Sequence, residues 1–503
     1  MNAPNAVPAF AVVGEPNEGK TTLIATLAEA DWAEVDKRAG TTQKRTSYTA
    51  TLDGIPILQF IDTPGFENTA TLREWFDANK DQRVDLATAF VDAHREVPSL
   101  RAECEILAAL QNSAVIYVID GSRPVRREDV DQMEILRLCS ANRIAVLNCK
   151  TSDTRCLPEW RQLLGRSFTW KEFDAHHVNF EDRIDLLKSI AVVMPAWQAE
   201  MEQVVARYQE AWEGRMIDCR DRLMELIEDT VNLRVSVPIK RSGDVSRAGK
   251  IAQADFEIKI RECEQRFRKH IRRLFRHNRT DWTLPTGDLL DEDLFSERVW
   301  KLFGLSRRQM VIAGAAMGAV IGGGIDIMVG GLSLLAGSLF GAAVGAVGAW
   351  LVAEKAVEIE LPRWGPLRAF PGSQKLAQAE ECVVARLLPK SNLVWILLDR
   401  ALAYTACAAT WSHGRREEKP QDVGADDQRL GVSSRWSAHE KLPLIQWIGF
   451  LYSGKTSDQR CRKAQLATED FLLGQIRAVG AGPVLTPSSQ LSIPIEAPSH
   501  TPR

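Results

Sequence analysis

From Ala9 to Met194, short apolar runs alternate with stretches of helical period. Ala9-Phe10-Ala11-Val12-Val13 predicts a buried strand that stops at Gly14, and Lys20 to Ala30 predicts a helix. Ser47 to Leu52 and Ile55 to Ile61 flank Asp53-Gly54, a pair that closes tight hairpins because both residues tolerate positive φ. Ala114 to Ile119 and Arg143 to Leu147 add two mostly apolar strands with helix-period sequence between them. Near-unbroken apolar strands separated by helices need cover on both faces, so this part reads as a doubly wound α/β sheet.

Beyond Met194 the pattern changes to helices. Gln198 to Arg234 is long, charged and helical in period, and Phe256 to Arg279 follows with a basic run: Arg266, Arg268, Lys269, Arg272, Arg273, Arg276 and Arg279. Leu376 to Leu388, Leu393 to Trp411 and Ala464 to Val479 read as further helices. Pro and Ser are frequent from Gly480 to Arg503, which predicts a disordered tail. The expected organisation is an α/β domain over residues 1–195, a charged helical region over 196–305 and a glycine-rich apolar hairpin over 306–355. A helical region over 356–479 and the tail 480–503 complete it, so the C-terminal part is mostly α-helical.

A length of 503 residues fits two or three structural units. The net charge of −3 implies no global attraction to nucleic acid or acidic lipid, so any such partner must meet a local patch. The nine cysteines include no C-x-x-C pair and no metal spacing, as in a reducing compartment. Met1 to Pro8 lacks a basic region followed by an apolar run, and a cytoplasmic location is expected.

Gly14-Glu15-Pro16-Asn17-Glu18-Gly19-Lys20-Thr21 fits G-x-x-x-x-G-K-[ST] at every fixed position. Its glycines allow backbone N–H groups to turn toward phosphate oxygens, and the loop opens a helix whose N-terminus favours negative charge. Lys20 then reaches the β- and γ-phosphates, while the Thr21 hydroxyl sits on Mg²⁺. Asp62-Thr63-Pro64-Gly65 ends the strand Ile55 to Ile61. The Asp62 carboxylate can hold Mg²⁺ through water, and the Gly65 amide can sense the γ-phosphate. Gly40-Thr41-Thr42 lies between these motifs as a candidate first switch, with Thr42 completing the Mg²⁺ shell only while the γ-phosphate is present.

In these pieces the sequence resembles the Era and TrmE-like branch of translation-factor-class GTPases. More narrowly, Asn148 without the usual Lys-x-Asp, Phe173-Asp174-Ala175 and Gly323-Gly324-Ile325-Asp326 are similar to a bacterial family of Era-like GTPases with a C-terminal domain of unknown function. The resemblance implies a P-loop NTPase fold, GTP/GDP with Mg²⁺, and GTP hydrolysis as a switch. It implies a nucleotide-contacting set of Gly14, Asn17, Glu18, Gly19, Lys20, Thr21, Thr22, Thr41, Thr42, Asp62, Gly65, Asn148, Lys150 and Asp174. Within it, Lys20, Asn17, Thr42 and Gly65 act in catalysis, and Thr21, Thr42 and Asp62 hold the metal. Phe66 stands where many G domains carry a catalytic glutamine. Several members of the branch instead use K⁺ held by the P-loop asparagine, here Asn17; the other reading is that Asn17 only braces the loop. Cys149 and Thr151 replace the lysine and aspartate that read guanine, Asp153 could substitute only from a loop two residues longer, and relaxed base specificity stays open.

Residues 309–325 and 327–353 contain no charge, with Asp326 between them. As helices these arms reach about 25 and about 40 Å, against about 30 Å of bilayer hydrocarbon. Gly314, Gly318 and Gly322, and Gly337, Gly341 and Gly345, recur every fourth residue, a spacing that lets helices approach closely in membranes. Residues 310–353 therefore read as a membrane-associated hairpin reached from the cytoplasm, at the inner membrane, with the basic helix meeting anionic lipid. A packed soluble hairpin is the alternative, and with it a soluble RNA- or ribosome-associated GTPase or a scaffold with negligible turnover. An effector protein is expected, of unspecified kind. The dispersed tryptophans read as core or interface residues, and His176-His177 and His270/His277 lack metal spacing.

Overall fold

The computed structural model describes residues 7–29, 46–81, 85–111, 113–149, 153–174, 178–239, 245–277, 357–360, 382–388, 391–411 and 431–480, with short pieces between 290 and 299. The switch threonines 41 and 42, Lys150, the glycine-rich segment 310–353 and the tail beyond 480 lie outside these residues.

The N-terminal part alternates as its pattern predicts. Strands β1 (Ala9–Val13), β2 (Thr46–Leu52), β3 (Ile55–Asp62), β4 (Ala114–Ile119), β5 (Arg143–Leu147) and β6 (Thr169–Glu172) form one sheet in the order β2-β3-β1-β4-β5-β6. Only β2 runs antiparallel, and it joins β3 through Asp53 and Gly54, at φ 51° and 77°. Side-chain alternation builds a core on each face. Phe10 and Val12 of β1, with Ala114, Ile116 and Val118 of β4, face α1 (Lys20–Ala28) and α7 (Phe180–Val192). Ala11, Val13, Val115, Tyr117 and Ile119 face the opposite core, filled from α2 (Thr69–Asn79), α3 (Leu86–His94), α4 (Arg101–Leu110), α5 (Arg127–Cys139) and α6 (Leu157–Leu164).

Helix α8 (Gln198–Asn232) has 35 residues, about 52 Å at 1.5 Å per residue. Its first turns place Met201, Val204, Val205 and Tyr208 in the core under β1. Its later turns place Met216, Cys219, Leu223 and Ile227 in a second, helical core. The expected boundary at 195/196 thus falls just ahead of a helix shared by both cores. That second core is built from α8, α9 (Val245–Leu274), α10 (Leu393–Thr410), α11 (Ala438–Ser453) and α12 (Gln459–Gly480). Among the described residues α10 is the one helix long and apolar enough to cross a membrane, and 78% of it is buried inside this core.

One expectation needs correction. The helix read over Leu376 to Leu388 is, over Cys382–Leu387, a strand. Val383, Ala385 and Leu387 are buried in alternation, a two-residue period with β-branched members that fits a pleated sheet. This strand, β9, pairs antiparallel with β7 (Arg234–Pro238) on one side and β8 (Val357–Glu360) on the other, a three-stranded sheet inside the mainly helical region. The basic run is divided between internal pairs and solvent, with Arg266, Lys269 and Arg273 exposed. Arg266 reaches Asp229 at 2.9 Å, Arg268 reaches Glu264 at 2.6 Å, and Arg276 donates to the Thr51 carbonyl of β2 at 3.2 Å. Arg279 is outside the described residues.

The two cores meet at Glu29. This residue ends α1 at φ 51°, in the left-handed region, and its backbone N–H caps Ala25. Its carboxylate, 4% exposed, is held by Arg215 of α8 at 3.0 and 2.5 Å and by Arg183 of α7 at 2.9 Å. Arg276, at the end of α9, stands 3.8 Å away. Beside it the Tyr208 hydroxyl donates to the Leu27 carbonyl, and Phe180 stacks on Trp212 with centroids 4.3 Å apart. A buried carboxylate of this kind persists only with charged partners close by. Here they come from three helices of both units.

Candidate functional site

The loop between β1 and α1 follows from its glycines. Gly14 and Gly19 have φ of 149° and 98°, and a Cβ on Gly19 would stand 2.3 Å from the Asn148 amide nitrogen. No side chain fits there without displacing Asn148, which explains glycine at that position. Asn148, 1% exposed at the end of β5, donates through Nδ2 to the Glu18 carbonyl at 2.9 Å and so ties the loop to the β5 end. Asn17 takes φ 65° and is exposed.

Lys20 opens α1 and is 7% exposed. Its ammonium donates to the carbonyls of Gly14 at 3.2 Å and Glu15 at 2.8 Å, which folds it back across the loop. The Thr21 hydroxyl donates to Asp62 Oδ2 at 2.6 Å. The second oxygen, Oδ1, is buried with no hydrogen-bond partner. Burial pushes the Asp62 carboxyl above its usual range, opposed by the Thr21 hydrogen bond and the Lys20 charge. A buried carboxylate with one oxygen engaged and one unmatched is the donor chemistry a hard divalent cation takes, and Thr21 supplies a second oxygen. The Thr63 hydroxyl donates to the Val12 carbonyl at 2.8 Å and pins the following turn to β1. Gly65 lies against the loop: a Cβ there would meet Pro16 at 2.4 Å.

The structure therefore brings Gly14, Asn17, Glu18, Gly19, Lys20, Thr21, Asp62, Gly65 and Asn148 to one end of the sheet, and Thr22 is buried beside them. Asp174 follows Phe173, whose N–H donates to the Leu147 carbonyl, so it too stands by the end of β5. Asp153 points elsewhere: Arg155 holds it at 2.6 Å and pulls its carboxyl down to about 2. Phe66, 5% exposed, packs into the core under α2 to α6. Burial, with Glu172, Asp120 and Asp174 nearby, raises the Cys149 thiol above its usual range, away from reactivity.

Sequence reasoning missed an ion cluster under the loop. Arg123, in the turn after β4, donates through Nε to Glu18 at 2.9 Å and grips Asp129 of α5 with two bonds of 2.7 Å. It stands 3.4 Å from Glu15, which Arg126 approaches to 3.3 Å. The other Glu18 oxygen accepts the Asp120 N–H. The cluster spans more than 100 residues of chain and has no spacing signature; the two glutamates inside the loop motif were its one local sign.

Sheet order, loop and the buried Asp62 carboxylate together define a P-loop nucleotide-binding fold, and residues 9–148 match the family described as 50S ribosome-binding GTPase. Residues 161–464 match the Domain of unknown function (DUF3482), and the chain belongs to that family. Relatives include the tRNA modification GTPase MnmE of Koribacter versatilis (34% identical; 21% of this chain and 24% of that one). MnmE of Lactobacillus acidophilus (29%; 25% and 28%) and the GTPase Der of Rhodopirellula baltica (29%; 25% and 29%) are also similar. The chain thus spans about a quarter of the length of these relatives. Solved structures that align include a bacterial selenocysteine-specific elongation factor (19% identity, TM-score 0.25; 38% of this chain and 29% of that one). Another is Era in complex with MgGDPNP and nucleotides of 16S ribosomal RNA (15%, 0.24; 54% and 89%).

Proposed function

We propose that this chain binds GTP with Mg²⁺, hydrolyses it to GDP and phosphate, and uses the cycle to set the state of its helical module. The observation that carries the reading is the Thr21–Asp62 pair at 2.6 Å beside Lys20, with Asp62 Oδ1 buried and unmatched. Thr21 and Asp62 would hold Mg²⁺, joined by Thr42 in the GTP state, and the ion when bound supplies positive charge to the phosphates. Lys20 binds and orients the β- and γ-phosphates in exchange for its two carbonyl partners. Gly65, packed on Pro16, reports the γ-phosphate through its amide. Phe66 faces the core and leaves the water-positioning role to other groups, so slow intrinsic turnover follows. Asn17, exposed on the loop, would hold K⁺ beside the phosphates, where a cation offsets developing charge. Lys150 and Asp174 would contact the base.

The test is phosphate release by the full chain, with GTP against ATP, in potassium and then sodium buffer. Faster GTP turnover in potassium, reduced by Asn17→Ala, supports both the reaction and the ion site. Turnover of neither nucleotide would leave a binding scaffold instead.

We further propose that residues 310–353 bring the protein to the cytoplasmic face of the inner membrane, a reading their apolar length and small-residue spacing support. The full chain is expected to float with liposomes, and a chain lacking 310–353 to stay behind. Equal flotation of the two would refute the anchor.

A further inference from the structure

A phosphate-binding loop works by aiming backbone N–H groups at negative oxygens, so acidic side chains on that loop oppose the ligand. This loop carries two, Glu15 and Glu18. Neither is free in solvent: their side chains are 17% and 4% exposed. Asp129, whose side chain is wholly buried, adds a third carboxylate beneath them. Among the described residues, one guanidinium, Arg123, meets all three, at 3.4, 2.9 and 2.7 Å. It is itself only 14% exposed, lies over the Trp160 ring with its charge centre 5.4 Å from the centroid, and its backbone carbonyl accepts the Trp160 indole N–H. Its place is therefore set from the α6 side as well as from the loop. Burial alone would lower the affinity of Arg123 for its proton, but the bonds and charges of Asp129 and Glu18 outweigh burial and raise it. Gln132 of α5 completes the cluster, donating to Glu15 at 3.4 Å and accepting from the buried Tyr117 hydroxyl at 3.0 Å.

We propose that Arg123 is a positioning residue for nucleotide binding: the counter-charge that neutralises Glu15 and Glu18, so that a loop carrying two carboxylates can accept a polyphosphate. This rests on the nucleotide-binding reading above. The mechanism is electrostatic and acts through the glutamates. Without Arg123, two low-dielectric negative charges face a ligand whose own charge is greater for GTP than for GDP. The loss should therefore fall harder on GTP. It should also be reversible by removing the glutamate charges, which an ordinary packing defect would not allow.

The experiment measures the affinity of the full chain for GTP and for GDP, both with Mg²⁺, in wild type, Arg123→Gln, Arg123→Lys and the triple variant Glu15→Gln/Glu18→Gln/Arg123→Gln. Arg123→Gln is expected to weaken GTP at least about tenfold and GDP by less, with Arg123→Lys between it and wild type. The triple variant is expected to recover most of the lost GTP affinity. Unchanged GTP affinity in a folded Arg123→Gln would overturn the proposal. So would equal losses for both nucleotides with no recovery in the triple variant. Where Arg123→Gln alone does not fold, the quadruple variant that adds Asp129→Asn to the triple decides, since it removes all three carboxylates that Arg123 meets: GTP binding supports the proposal and its absence overturns it. Failure of the wild type to bind any nucleotide would instead remove the functional reading itself.

Discussion

Replacing Lys20 by alanine is expected to weaken GTP by about 10²-fold and to lower turnover by about 10²–10³-fold. The ammonium sits at the mouth of α1, 2.8 Å from one loop carbonyl and 3.2 Å from another. Both contacts are exchangeable for phosphate oxygens. Charged hydrogen bonds contribute about 1.5–3 kcal/mol each, and every 1.4 kcal/mol is tenfold. A preorganised donor at developing charge adds a similar factor to the rate. Stability is measured alongside, because the Gly14 carbonyl that Lys20 leaves behind is buried. Titration calorimetry and phosphate release, read beside thermal melting, separate these effects. A variant that binds and hydrolyses GTP as the wild type does would remove Lys20 from the site.

The largest effect on stability is expected at Glu29. Glu29→Ala leaves Arg183 and Arg215, each 8% exposed, buried without their shared carboxylate. Removing one partner of such a pair costs about 3–5 kcal/mol, most of it the penalty of an uncompensated buried charge. The loss should appear as a lower urea midpoint of the G domain and the helical module together. A change below about 1 kcal/mol would show that water reaches these arginines and that the junction is held by its aromatic and aliphatic contacts alone.

The P-loop was legible because its chemistry demands fixed residue types at fixed local spacing, and the Asp53-Gly54 hairpin because both strands and turn lie within 17 residues, 46–62. The small sheet was not legible. Its three strands are four to six residues long and scattered over 234–387, and none has a neighbour close in sequence to pair with. Helix α11 hides for another reason. It is apolar on most sides, as buried helices are, and Pro443 interrupts its early turns, so periodicity gives no stripe to follow. In the site, pairs such as Thr21–Asp62 could be expected from two motifs. The Arg123 cluster and the Glu29 clamp could not, because each joins ordinary charged residues whose partners are decided only by the tertiary fold.

Because Met201 to Tyr208 and Met216 to Val231 of α8 belong to different cores on one uninterrupted helix, neither unit has a complete hydrophobic interior without the other's share of that rod. A polypeptide cut between them exposes an oily stripe on whichever half keeps too little. The shared helix also leaves no slack at the junction. A rotation of α7, which packs along the first turns of α8, would have to turn the whole rod or bend it. On the reading proposed above, any motion that nucleotide exchange sets off in the nucleotide-binding half would be passed along the rod by stiffness, in the manner of a crankshaft rather than a tether.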